Sequence, residues 1–218
     1  MIYSKDLIDA FRNISTASVA DACDTVVGRR CYMSHEMKPR INTRRIVGPA
    51  KTVMEGPTDE KLPPQFALDL VEDSEPGSVI VIGIEGGVRD VALWGGLMTA
   101  GAHVRGLEGC VLEAGVRDVT EIKRDYDFPV FSRTVSPGTT VGRYKTLAKN
   151  VEVCCGDLSI FPDDLIVGDA DGVVCVPQAH VESVLILAQE IETKEMEQAK
   201  YIKETKSLKQ GLAKYNRI

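Results

Sequence analysis

Three short apolar runs in the middle of the chain constrain its fold most. Ser78 to Gly83 (SVIVIG) is continuously apolar, the pattern of a strand buried on both faces. Gly109 to Leu112 reads as a second buried strand and Pro129 to Ser132 as a third. Between them, Val91, Leu93, Trp94, Leu97, Met98 and Ala102 space as one helix or two short ones, and Asp118 to Asp125 as a short amphipathic helix. The order β-α-β-α-β with short connections demands a parallel sheet with right-handed crossovers.

The flanks read differently. Residues 7–26 look helical, with Asn13, Ser15 and Thr16 as cap residues inside the span. Residues 45–54 read as a strand broken by Gly48-Pro49, and Gln65 to Glu72 as a short helix. Val151 to Val153, Asp164 to Val167 and Val173 to Val176 are short strands between turn signals, predicting a smaller, partly antiparallel sheet. Pro177 opens a long C-terminal helix from about Ala179 to Lys209. With 218 residues and no linker or low-complexity stretch, the chain reads as one domain over 1–218 with a projecting helix.

Charge narrows the partners. With 26 Lys+Arg against 32 Asp+Glu, the net charge of −6 speaks against nucleic acid or an anionic membrane surface. No apolar run approaches the ~20 residues of a membrane helix, and no signal-peptide core is present, so a cytoplasmic location is expected. The six cysteines form no CxxC pair and read as reduced thiols, mostly buried. His35, His103 and His180 match no ligand spacing.

One repeat points to a site. Ile84-Glu85-Gly86-Gly87-Val88-Arg89-Asp90-Val91 matches Leu112-Glu113-Ala114-Gly115-Val116-Arg117-Asp118-Val119, with Gly-Val-Arg-Asp-Val identical in both. Each copy follows a predicted parallel strand, so two Arg-Asp pairs reach the carboxyl edge where ligands of open α/β sheets bind. An arginine fork grips a carboxylate, and an aspartate holds a hard divalent ion by one oxygen. Together they suit a 2-oxo acid. The alternative is that both pairs merely cap helices and bind neighbours. Gly95-Gly96-Leu97-Met98 offers close backbone approach and free amides for an anion, or a simple helix break. On the C-terminal helix the stripe Val181, Val184, Ala188, Ile191 is continued by Glu195, a carboxylate with either a job or a wet surface.

These residues resemble the RraA-like family, which includes regulator of ribonuclease activity A and the 4-hydroxy-4-methyl-2-oxoglutarate aldolases. The markers are Ile14-Ser15-Thr16-Ala17 with Val19-Ala20-Asp21-Ala22, then Ile46 to Val53, Leu93-Trp94-Gly95-Gly96-Leu97-Met98, Gly115-Val116-Arg117-Asp118, Val167 to Val174 and Lys194-Glu195. The resemblance implies a swivelling β/β/α fold of three layers: a parallel sheet, a smaller antiparallel sheet and a helical layer with the long C-terminal helix. It implies a homotrimer or homohexamer with sites between subunits, the 179–209 helix packing on a neighbour. It implies a lyase that releases pyruvate from a 2-oxo acid, by aldol cleavage or oxaloacetate decarboxylation, with Mg²⁺ or Mn²⁺. Arg117 would hold the pyruvyl carboxylate, Asp118 the metal, and Gly95, Gly96, Leu97 and Met98 the substrate through their amides. Glu195 would reach a neighbour's site and position metal-bound water. The family's aldolases carry an acid where this chain has Gly96; Asp90 is the expected substitute, with Glu85 second. His35, Arg89 and Arg105 are further pocket candidates. The alternative within the family is a non-catalytic binding protein of the ribonuclease-regulating type.

Overall fold

The computed structural model describes residues 2–216, and Met1, Arg217 and Ile218 lie outside it. The chain opens with helices α1 (Lys5–Arg12) and α2 (Thr16–Val26), then strands β1 (Lys38–Pro39) and β2 (Ile46–Pro57). Helix α3 (Gln65–Asp73), β3 (Val79–Ile84), β4 (Ala92–Trp94), α4 (Gly96–Val104), β5 (Gly109–Val116), α5 (Val119–Asp125) and β6 (Val130–Val135) form the centre. Strands β7 (Tyr144–Lys149), β8 (Val153–Cys155), β9 (Leu158–Ile160), β10 (Leu165–Gly168) and β11 (Val173–Val176) follow. The chain closes with a 3₁₀ turn (Gln178–His180), α6 (Val181–Thr205) and α7 (Leu208–Tyr215).

The parallel core expected from the apolar runs is present. β2, β3, β5 and β6 lie side by side and parallel, and β4 joins β5 in parallel at its carboxyl end. The smaller antiparallel sheet is only the β8–β9 hairpin. β10 and β11, expected within it, instead extend the main sheet. The cause is the length of β2. Its residues 50–55 pair with β3, while Ile46 to Pro49 stay free to pair with β10, and Val53 to Pro57 pair with β7. Gly48-Pro49 therefore does not break the strand. Gly48 is needed there because a Cβ would sit 2.1 Å from the Gly77 carbonyl oxygen.

Other boundaries move for local reasons. The 7–26 helix is two helices, since Asn13 ends α1 and the Ser15 hydroxyl caps α2 by accepting from Ser18 N–H. The 91–102 helix is β4 followed by α4, because Ala92 and Trp94 find ladder partners in Gly115 and Val116. The 179–209 helix ends at Thr205. Lys206 turns left-handed (φ 53), and α7 folds back with Gly211 against Ile202.

Both faces of the sheet are covered, one by helices and the other by the β8–β9 hairpin with Met33 and Met37 over Val79, Val81, Val111 and Phe131. One carries α3, α4 and α5 over Ile80, Ile82, Leu112, Ala114 and the fully buried Trp94. At the β10–β11 end, α1, α2 and α6 pack over Val47, Leu165, Val167 and Val174. Five of the six cysteines are buried free thiols; Cys154 is exposed.

Candidate functional site

The second copy of the repeat straddles a strand end. Gly115 and Val116 complete β5, and Arg117 and Asp118 turn away at its carboxyl edge. Asp118 stands at the N-cap of α5 with left-handed backbone (φ 57), and its side chain makes no bond to its own helix. It reaches the neighbouring α4 instead, where Oδ2 accepts the Gly96 N–H at 2.9 Å. The Arg117 Nε lies 3.6 Å from the same oxygen, and both side chains remain partly exposed. A carboxylate at a helix N-terminus is favoured by the unpaired amides and the dipole.

Gly95 makes this arrangement possible. A Cβ there would meet Asp118 Oδ2 at 2.8 Å and the Arg117 side chain at 3.1 Å. At Gly96 a Cβ would stand 3.5 Å from Asp118 Oδ2, so a side chain fits. The first α4 bond shown is Thr99 N–H to the Gly95 carbonyl. The Gly96 amide is thus taken by Asp118, and Leu97 and Met98 offer the amides ahead of the helix's own ladder. Trp94 is fixed by its indole N–H donating to Thr99 Oγ1 at 2.8 Å.

A cavity of about 230 Å³ opens beside these groups, lined by Pro63, Pro64, Leu68, Ala92 to Gly95, Leu97, Met98, Arg117 and Thr139 to Val141. Its walls are apolar except for Arg117 and the threonines, and its size suits a small acid. The sequence reading missed Pro63-Pro64 and Thr139 to Val141. Their signal was only a loop signature, and what carries Thr139 to the site is its bridge to Ala92, a long-range contact.

The Arg-Asp pair of the first copy lies outside the cavity lining, although the chain runs on from it into Val91 and Ala92 beside β5. Asp90 is exposed, with its backbone carbonyl accepting from Ser136, and Glu85 is exposed as well. Arg89 turns to Glu113 at 2.9 Å. Glu113 is buried and also accepts from Arg133 Nε at 2.9 Å and Gly156 N–H at 2.7 Å. Arg133 in turn binds Glu36 and Asp157. These carboxylates push the buried Arg133 guanidinium further up against the opposing effect of burial.

Three other candidates are not brought to this cavity by the fold. His35 lines a separate cavity of about 270 Å³ with Thr16, Tyr32 and Asp171. Arg105 is exposed at the end of α4. Glu195 is exposed on α6, in a stretch where Thr193 to Glu197 all face outward. The buried stripe of α6 stops at Ile191, where α2 stops covering it, and resumes at Gln198 under α7. Glu195 therefore does not lie on a packed face within one chain.

No group of three or more His, Cys, Asp or Glu among the described residues is placed to hold a metal. The donor chemistry at Asp118 is that of a single hard carboxylate with open surroundings. That fits Mg²⁺, which keeps most of its waters and takes one or two carboxylates plus substrate oxygens.

Residues 16–175 match the family described as RraA-like: Aldolase/RraA. A protein of Halalkalibacterium halodurans named "Putative 4-hydroxy-4-methyl-2-oxoglutarate aldolase" is 34% identical over 183 residues, 83% of this chain and 80% of that protein. Among solved structures, an uncharacterized protein from Pseudomonas syringae superposes with a TM-score of 0.87 at 27% identity, covering 99% of this chain and 96% of that one. Streptomyces coelicolor RraAS2, described as an unusual member of the RNase ES inhibitor RraA protein family, superposes with a TM-score of 0.82 at 22% identity, over 91% and 99%. At that identity the likeness concerns the fold alone.

Proposed function

The chain belongs to the RraA-like (Aldolase/RraA) family, and from that premise we propose that it is a divalent-metal-dependent lyase cleaving a carbon–carbon bond of a 2-oxo acid to release pyruvate. One observation supports the reading: Gly95, Leu97, Met98 and Arg117 line one small, mostly apolar cavity, and the Asp118 carboxylate lies next to Arg117 and on the Gly96 N–H.

In this mechanism Arg117 holds the substrate carboxylate through its two parallel donors. The Leu97 and Met98 amides steady the same end. Asp118 is the residue that would hold Mg²⁺ or Mn²⁺, which when bound polarises the keto group next to that carboxylate. Cleavage leaves the electron pair on C3, and the site must then return a proton there. In aldol cleavage a base must also take the C4 hydroxyl proton. Asp90, exposed at the same sheet edge, is our candidate for that base. Decarboxylation of oxaloacetate needs no such base, so the two reactions separate its role. In this proposal Glu195 would serve a neighbouring subunit's site in a trimer or hexamer, orienting water there.

The test is direct: incubate the protein with oxaloacetate and Mg²⁺, with and without chelator, and follow pyruvate. Chelator-sensitive pyruvate supports the proposal. A second reading, a non-catalytic binding protein, is favoured by the missing side chain at Gly96, and its signature is no metal-dependent pyruvate from oxaloacetate or from 4-hydroxy-4-methyl-2-oxoglutarate.

A further inference from the structure

Glu55 is a carboxyl group placed inside the fold. It is fully buried, and among the described residues neither carboxyl oxygen finds a hydrogen-bond partner. A buried carboxylate without a partner is strongly disfavoured, so the group sheds its charge by holding a proton. Burial alone accounts for its titration being pushed up to about 8.

Its place is informative. Glu55 lies at the carboxyl end of β2, opposite Ile84 at the end of β3 and Thr146 on β7. It shares the sheet face of Val53, Ile82, Leu112 and Ala114, the face on which the cavity is built. Two segments of the cavity wall, and the loop that carries Asp90, are tied to this part of the sheet. The Phe66 N–H, just past Pro63-Pro64, donates to Thr146 Oγ1. The carbonyl of the buried Thr140 accepts from Tyr144 N–H. The Tyr144 hydroxyl donates to the Val88 carbonyl at 2.7 Å and so holds the loop that carries Asp90. Burial raises the Tyr144 hydroxyl, and the Asp90 and Glu55 carboxyl groups add to the rise, so both are within electrostatic reach of that one group.

The other charged groups on the packed elements face away. On α3 and β7, Lys149 pairs with Asp69 and Asp73, and Lys145 pairs with Glu60. In the loop after β3, Arg89 is spent on Glu113, and Glu85 is exposed. Glu72 on α3 is exposed too.

We infer that Glu55 is the proton store of this site, a dry carboxylic acid behind the cavity wall that supplies the proton returned to C3 of the substrate. The inference rests on the lyase reading above. Two carboxyl groups in opposite settings divide acid and base work in this way, one dry and protonated and one wet. In aldol cleavage the Asp90 carboxylate takes the C4 hydroxyl proton, the C3–C4 bond breaks, and the electron pair stays with C3. The Glu55 proton is delivered to C3, and the Asp90 proton returns to Glu55 through solvent. In decarboxylation carbon dioxide leaves, C3 takes the Glu55 proton, and solvent restores it. Glu55 does not line the cavity, so it acts through that wall.

The experiment uses the full chain with Mg²⁺. Wild type, Glu55→Gln and Glu55→Met are compared for exchange of the pyruvate methyl hydrogens in heavy water, for pyruvate formation from oxaloacetate across pH, and for infrared absorption of a protonated carboxyl. The expected result is a carboxylic-acid band in wild type that both variants lack. Exchange should fall at least tenfold with an unchanged KM, and the fall in rate above pH about 8 should vanish in Glu55→Gln. Wild-type exchange and an unaltered pH limb in Glu55→Gln, or no carboxylic-acid band in wild type, overturn the inference while leaving the lyase reading intact. A wild type with the band but with neither chelator-sensitive pyruvate formation nor exchange refutes the lyase reading, and the role given to Glu55 falls with it.

Discussion

The same pentapeptide, Gly-Val-Arg-Asp-Val, occurs at 87–91 and at 115–119 and takes two unrelated forms. In the second copy Gly115 and Val116 are strand, Arg117 borders the cavity and Asp118 turns left-handed onto α4. In the first copy Gly87 is left-handed (φ 80), Val88 to Asp90 are exposed, and the arginine is held by an ion pair. The difference lies in the neighbours. β5 runs on to Val116 because β4 and β6 flank its last residues, whereas β3 ends at Ile84, before its copy begins. The copies also depend on each other. Gly115 N–H donates to the Val91 carbonyl at 2.8 Å, and the Arg89 of the first copy binds Glu113, two residues before the second. A ladder partner, not the local sequence, decides which copy continues as strand and which becomes loop.

That contrast can be broken by mutation. Asp118→Ala should lower chelator-sensitive pyruvate formation by about a thousandfold or more, since the metal loses its carboxylate; steady-state kinetics with saturating Mg²⁺ checks this. The next effect lies under the first copy and concerns stability. The Glu55 carboxyl would release its proton near the ordinary value of 4.5 when unfolded but keeps it to about 8 when folded. Between those limits the folded state holds more protons, so stability falls as pH rises through this window and is fully present only below it. Denaturant melts should lose about 5 kcal/mol across it, and Glu55→Gln should remove that part of the slope. Arg117→Lys keeps the charge but loses the fork, so KM should rise by about thirtyfold with the fold intact. Arg89→Ala should leave turnover unchanged and cost about 1 kcal/mol or less, because Arg89 is half exposed and Arg133 still neutralises Glu113. A loss of activity in Arg89→Ala equal to that in Arg117→Lys would dissolve the distinction between the copies.

Much of the fold was legible in the residues. The apolar run at 78–83 and the helix signals around Gln65 and Asp118 depend on local pattern, and they appear within a residue or two of their expected limits. What was not legible depends on pairing at a distance. Nothing local says that Ala92 to Trp94 is a strand or that β10 and β11 join β2. Arg117, Asp118, Gly95 and Met98 were readable as a group because a repeated motif and a double glycine mark them. Glu55 was not read, although Val53-Met54-Glu55 places its carboxyl in phase with a buried valine. That signal acquires meaning only once both neighbouring strands are known. Glu195 shows the reverse case: the helical stripe suggested a packed face, and α6 has left its cover by that point.

The central claim is that the second copy, not the first, holds the metal and the substrate carboxylate. A crystal structure of the protein soaked with Mg²⁺ and pyruvate tests it most directly. The account predicts a cation on the Asp118 carboxylate and the pyruvate carboxylate against Arg117 and the Leu97 and Met98 amides. A cation or pyruvate seated at Arg89–Asp90, or an ion at Asp118 with pyruvate away from Arg117, would contradict it.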